Sequence, residues 1–239
     1  MRWSPVRVLA LVLICICLVA PHGGRAQIAS LTTFGDSYTQ TMRFTVPSWA
    51  EQMRRAGTVR NLLNYAKSGA TAGGADQGRA TFDGQLDEWT VNGRPLSART
   101  VVYFGYNDIN RKLDLFRSSR AYAAGVDRLL QGGANRAGRK VLLVLVHDWS
   151  STPAGSPGQR PRVLTWNRNV RSVAAARGLR AVDLFQKFVA VHASPASYGL
   201  VNVTTPSRTN PRHLYFDGVH FGVRGQAIIA ETMRPALLR

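Results

Sequence analysis

Cysteine is nearly missing from this chain. Cys15 and Cys17 are the only two in 239 residues, and both fall in an apolar N-terminal run. The rest of the chain can therefore form neither a disulfide nor a thiolate metal site. His-Glu-x-x-His is missing too, as is any dense acidic cluster, so no metal and no cofactor is expected. Acidic residues are scarce: 13 Asp and Glu face 31 Lys and Arg, for a formal charge of +18. Lysine is limited to Lys67, Lys112, Lys140 and Lys187, so arginine carries most of the charge. Such a balance attracts anionic polymers through its long-range field. The arginines are scattered, which reads as a compositional bias on solvated faces. No zinc-finger or RRM-type pattern accompanies them, so no specific nucleic-acid partner is expected.

No apolar stretch is long enough to span a bilayer. Val8 to Ala20 is an unbroken run of 13 residues, against roughly 20 for a membrane helix. Arg2 and Arg7 precede it, and small residues follow, with Gly24 and Ala26 at the −3 and −1 positions of a cleavage before Gln27. Residues 1–26 thus read as a secretory signal peptide, and the protein is expected to be extracellular. Removing it leaves 239 − 26 = 213 residues, and losing Arg2, Arg7 and Arg25 lowers the charge to +15. Residues 27–239 form one domain with no Pro/Ser-rich linker, large enough to build a core without disulfides and expected to be a monomer. Asn202-Val203-Thr204 is a sequon for N-glycosylation in a eukaryotic pathway.

Apolar runs alternate with helical patterns along this domain. Strands are predicted over Ile28–Phe34, Val59–Ala66, Arg99–Gly105, Arg139–Asp148 and Leu179–Leu184. The run in "RKVLLVLVHD" is continuous, as for a strand covered on both faces. Helices are predicted over Pro47–Arg55, over a segment capped by Ser119 with Tyr122, Val126, Leu129 and Leu130 on one face, and through Val163, Trp166, Val170 and Val173 up to Gly178. Ser151–Pro161 reads as a long polar loop, and Gly225–Met233 as a last helix. This alternation predicts a parallel sheet with helices on both faces. Ligands then sit at the carboxyl ends of strands, which here carry Gly35-Asp36-Ser37, Ser68-Gly69, Gly105-Tyr106-Asn107-Asp108 and His147-Asp148.

Ser37 needs a base to become a nucleophile. Of His147, His192, His213 and His220, only His220 has a carboxylate at short spacing in a loop, Asp217 in "FDGVHFG". His147-Asp148 is the rival pair, but neighbours on a strand point to opposite faces.

The segments "FGDSYT", "NYAKSGATA", "GYND" and "DGVH" occur in that order. Together they resemble the four blocks of the SGNH hydrolases, the GDSL esterase/lipase family, across nearly all of the domain. "GDSYTQT", "NYAKSGAT" and "SPASYGLVNVT" are similar to segments of secreted fungal carbohydrate acetylesterases. The resemblance implies a flavodoxin-like three-layer α/β/α sandwich with a central parallel five-stranded sheet and no metal. It implies a catalytic triad of Ser37, Asp217 and His220, with Ser37 at the positive end of the helix after the first strand. It also implies an oxyanion hole made by the N–H groups of Ser37 and Gly69 and the amide of Asn107. One departure stands out: Phe221 follows His220 where family members often carry proline.

His147 and Trp149 are expected at the substrate rim, His147 as a rim or structural residue and Trp149 either as core or rim packing or as a platform for a sugar ring. Trp49 and Trp166 fit core faces, Lys67 fits solvent, and Asp36 and Asp108 should tie their loops by hydrogen bonds. The function implied is that of an esterase acting on an acetylated oligo- or polysaccharide. A lipase or phospholipase of the same family, and a non-catalytic cationic polysaccharide-binding protein on this fold, are the alternatives.

Overall fold

The computed structural model describes residues 26–41, 46–74, 80–93, 95, 97–136 and 138–239. The predicted leader lies outside them except for Ala26. Five strands, β1 (Ile28–Gly35), β2 (Val59–Asn64), β3 (Arg99–Tyr103), β4 (Lys140–Leu145) and β5 (Arg180–Asp183), form one sheet in the order β2-β1-β3-β4-β5. Every pairing is parallel. Burial follows position: all but the first residues of β3 and β4 are buried, whereas edge strand β2 exposes Arg60, Asn61 and Asn64. Central strands covered on both faces must be apolar throughout.

The helices are α1 (Trp49–Arg55), α2 (Phe82–Val91), α3 (Tyr106–Asn110), α4 (Leu115–Gln131), α5 (Arg160–Ala176), α6 (Leu184–Ala193) and α7 (Val223–Leu238). α1, α6 and α7 cover one face, linked by α1–α7 and α6–α7 packing; α2, α4 and α5 cover the other. The result is the flavodoxin-like three-layer sandwich. Its strand order reverses between β1 and β3, and that switch point opens a crevice outside their carboxyl ends.

Several boundaries differ from the sequence prediction for local reasons. Asp114, not Ser119, caps α4: its carboxylate accepts from the Phe116 and Arg117 amides, while the Ser119 hydroxyl donates back to Leu115 O. The predicted Ser151–Pro161 loop contains two short 3₁₀ turns, Trp149–Ser151 and Pro157–Gln159, and α5 begins at Arg160. β5 stops at Asp183, whose side chain caps α6 by accepting from Gln186 N. β2 stops at Asn64, although Tyr65 N and Lys67 N still donate to Thr33 O and Gly35 O at 2.9 and 3.1 Å. The helices α2, α3 and α6 were not anticipated.

Beyond the last rung of a parallel ladder, backbone groups need other partners. Here side chains supply them, most of them buried. Gln85 of α2 accepts from Gly35 N at 3.0 Å and donates to Gly35 O at 2.7 Å. Asn167 of α5 does the same for Val146, at 2.8 Å in both directions. Trp166 donates to Phe104 O at 2.9 Å. Asn64 accepts from Ala66 N and the Thr33 hydroxyl and donates to Thr39 O. Gln85→Leu leaves the buried N–H of Gly35 unpaired, at about 1–3 kcal/mol, and leaves Gly35 O with only its bond from Lys67 N at 3.1 Å. The urea midpoint of this variant should fall clearly at unchanged m-value; an unchanged midpoint would show that the Gln85 clamp contributes nothing.

Candidate active site

The turn that follows β1 exposes its serine by local hydrogen bonding. Asp36 O accepts from Thr39 N and Gln40 N, both at 3.0 Å, and the Asp36 carboxylate accepts from Tyr38 N at 3.0 Å. The described residues after Ser37 form a single turn rather than the expected helix. Ser37 itself is 6% exposed at the crevice.

His220 reaches this serine from the other end of the chain. Its Nε2 lies 3.0 Å from Ser37 Oγ, across 183 residues of sequence. Its Nδ1 lies 2.8 Å from Asp217 Oδ2, while Asp217 Oδ1 accepts from Val219 N and His220 N at 2.8 and 2.7 Å. Partial burial opposes ionisation of Asp217, but the hydrogen bonds from the His220 ring and from these amides outweigh it and hold the carboxyl at about 2. An ionised Asp217 accepts a hydrogen bond from Nδ1–H of the imidazole, and in that tautomer Nε2 is free to accept from the serine hydroxyl.

The loop carrying this pair is anchored where family members often use proline. Phe221 is fully buried against Tyr38, His147, Phe188 and Tyr215, with ring centroids 4.5 to 5.5 Å away. Tyr38 donates its hydroxyl to Val219 O at 3.0 Å, and Phe216 N donates to His220 O at 2.8 Å. Aromatic packing does here what a proline does by ring constraint.

Gly69 and Asn107 come to the same crevice. Gly69 has φ +75°, a conformation that a residue with a Cβ rarely adopts. Asn107 lies in α3, which starts at Gly105, where φ is +124° and an added Cβ would meet Trp166 Nε1 at 2.1 Å. Asn107 is 6% exposed and uses one amide N–H to donate to Ala70 O at 2.9 Å. An amide nitrogen carries two N–H groups, so one remains. The neighbouring amides of Tyr38, Thr39, Gln40, Ser68 and Ala70 are all paired. The N–H groups of Ser37 and Gly69 meet no acceptor among the described residues. A nucleophile, a base, an orienting carboxylate and three open donors around one crevice are the parts needed for acyl transfer.

His147 and Trp149 do not form a rim. They are 0% and 1% exposed, because the chain turns inward after β4. His147 shares a 2.9 Å hydrogen bond with the Tyr103 hydroxyl, and burial pushes its pKa down to about 3. Trp149 packs edge-on against Tyr106 at 5.1 Å and presents no face to a sugar. Asp148 points away from His147 to an ion pair with Arg160 at 2.8 Å. Trp49 and Trp166 are core residues. Lys67 pairs with Glu88 at 3.0 Å rather than standing alone in solvent. Asp108 ties a distant segment, accepting from Ala72 N and Gly73 N. Among the described residues no cluster of three or more His, Cys, Asp or Glu could hold a metal ion. None of the described helices is long and apolar enough to cross a membrane.

A sandwich that joins serine, histidine and aspartate at its switch point has the layout of a serine-dependent hydrolase. Residues 33–228 match the GDSL-like Lipase/Acylhydrolase family, and the chain belongs to that family. No curated protein matches the chain by sequence. Among solved structures, a lipolytic protein of the G-D-S-L family from Veillonella parvula is 17% identical, with a TM-score of 0.63 over 88% of this chain and 99% of that one. The acetyl xylan esterase AlAXEase is 18% identical, with a TM-score of 0.63 over 87% and 98%. The acetylxylan esterase Axe2 from Geobacillus stearothermophilus is 17% identical, with a TM-score of 0.60 over 89% and 95%. At these identities the likeness is one of fold. The two named sources are bacterial, not fungal as the sequence segments suggested.

Asp36 gives the site a signature in pH. Burial pushes its carboxyl up from 3.8 to about 7, further raised by Asp108. Below pH 4 both folded and unfolded chains hold this proton. Between about pH 4 and 7 only the folded chain keeps it, so this contribution to stability falls as pH rises through that window. His147 acts oppositely: its contribution is complete above 6.5 and lost as pH falls toward 3. Asp36→Asn keeps an acceptor for Tyr38 N and removes only the first effect. Subtracting the parent, the stability of Asp36→Asn should rise from pH 4 to 7, as read by urea unfolding; a flat difference would contradict the buried-carboxyl argument.

Proposed function

We propose that the protein is a secreted serine esterase that removes acetyl groups from carbohydrate. The observation that carries the esterase chemistry is the relay from Ser37 Oγ through His220 to Asp217, with distances of 3.0 and 2.8 Å. Ser37 Oγ attacks the ester carbonyl carbon while His220 Nε2 takes the hydroxyl proton. The carbonyl oxygen becomes an oxyanion held by the N–H groups of Ser37 and Gly69 and the free N–H of Asn107. The intermediate collapses, the alcohol leaves with the proton from His220, and the acetyl group stays on Ser37. Water, deprotonated by His220, then attacks the acyl-enzyme, and acetate leaves as Ser37 regains its proton. Asp217 holds the ring and stabilises the imidazolium formed in each half-reaction.

The acetyl preference is supported by the acetyl xylan esterases that share the fold and by the closeness of the site. Tyr38 and Tyr106, which follow Ser37 and precede Asn107 in sequence, pack edge to face at 5.0 Å, and Trp149 closes on Tyr106. Dense aromatic packing beside a nucleophile of 6% exposure favours a short acyl group. Secretion rests on the leader, and a mature N-terminus at Gln27 is part of the proposal.

Ser37→Ala should abolish turnover of 4-nitrophenyl acetate, and Asn107→Ala should lower kcat by about 10²–10³-fold. Retained activity in Ser37→Ala would sink the serine mechanism. Rates on 4-nitrophenyl acetate, butyrate and palmitate, beside an acetylated xylo-oligosaccharide, test the substrate class. Acetyl esters should lead and the oligosaccharide should release acetate. A palmitate preference would replace the carbohydrate reading with a lipase. A parent without turnover that still binds acidic polysaccharide in a salt-sensitive way would replace catalysis with binding.

A further inference from the structure

Two of the three oxyanion donors, those of Gly69 and Asn107, sit on segments that the ladder does not connect: the turn around Gly69 and the short helix α3. Arg111, the residue that closes α3, bridges them. Its guanidinium Nη2 donates to Gly69 O at 3.0 Å. Asn107 donates to Ala70 O at 2.9 Å, and Asp108 accepts from Ala72 N and Gly73 N at 3.0 and 3.3 Å. Residues 107, 108 and 111 therefore grip consecutive peptides of the 69–73 segment from one turn of helix.

The end of α3 is built to keep Arg111 in place. Lys112 N donates to Ile109 O and Leu113 N to Asp108 O, both at 3.0 Å, the pairing of a Schellman stop. The left-handed position falls on Lys112, with φ +56°, and Lys112 is the one described non-glycine residue with positive φ. A glycine would relax this turn. On the other segment, Ser68 N is held by Gln40 and Ala70 N by Lys67 O. What remains to be fixed is the Gly69 carbonyl, and with φ at +75° glycine has wide freedom in ψ. The Arg111 contact sets it. Guanidinium-to-carbonyl hydrogen bonds are charge-assisted and directional.

We infer that Arg111 is the positioning residue of the oxyanion hole: it locks the Gly69 turn in register with Asn107 so that the backbone and side-chain donors converge on one oxygen. The inference rests on the esterase reading above. Arg111 touches no reacting atom in this role; it acts through Gly69. Loss of such a lock removes an interaction felt mainly in the transition state, which lowers kcat with little change in KM.

The test uses the full mature protein and three variants, Arg111→Met, Arg111→Lys and Ser37→Ala, with 4-nitrophenyl acetate as substrate. Arg111→Met should lower kcat at least tenfold with KM within about threefold of the parent, at a thermal midpoint that leaves the enzyme folded under assay conditions. Arg111→Lys, which keeps the charge but not the planar fork, should fall between the two and serves if Arg111→Met does not fold. Affinity for phenylboronic acid, which forms a tetrahedral adduct with a serine oxygen, should drop in proportion to kcat/KM in each variant. A folded Arg111 variant with parental kcat would overturn the inference while leaving the esterase reading intact. So would a loss of activity in which boronate affinity stays parental. Parent enzyme without Ser37-dependent turnover would overturn both.

Discussion

A parallel sheet ends on unpaired backbone. Past the last rung at the carboxyl edge, N–H and C=O groups of each strand have no neighbour to bond, and burying them unpaired is costly. This chain meets that constraint with side-chain amides: the buried Gln85 for β1 and Asn167 beyond β4, and the exposed Asn64 for β2, with the Trp166 indole beyond β3. The clamps pair backbone groups along the edge. Against that background the N–H groups of Ser37 and Gly69 are open among the described residues. An oxyanion hole is a set of donors kept from their natural acceptors, and pairing the amides around them is what makes a few open donors selective.

The same edge fixes where the base must come from. Strand order reverses between β1 and β3, so Ser37 and Asn107 lie on either side of one crevice. The third component arrives on the loop before α7, carried by Phe221 in the aromatic layer of Tyr38, His147, Phe188 and Tyr215. His147 thus belongs to the foundation of His220. Its buried, neutral ring is packing material with one hydrogen bond to Tyr103.

The central strands were legible as apolar runs bounded by turn residues, and the edge strands β2 and β5 as shorter apolar clusters, while the segments bearing Ser37, Gly69, Asn107, Asp217 and His220 were legible as motifs. What lay outside reach was set by tertiary contacts. The helix α2 carries Asp83, Gly84 and Gln85 in its first turn, and its Gln85 has meaning only opposite Gly35. The helix α3 has five residues, too few for a periodic signal. His147 and Trp149 follow a strand end, which suggested a rim; the chain instead folds back under Tyr106, and no local pattern records that. Arg111 looked like one more arginine in a basic chain, although its spacing of four from Asn107 on a helix was the available clue.

Covalent capture of the nucleophile tests the central claim most directly. The mature protein would be incubated with an alkyl fluorophosphonate and the modified peptide located by mass spectrometry. One label per chain on Ser37, formed at a rate that collapses in His220→Ala, is the expected result. Label on another serine, or equally fast labelling of Ser37 without His220, would contradict a serine activated across 183 residues of sequence by a single histidine.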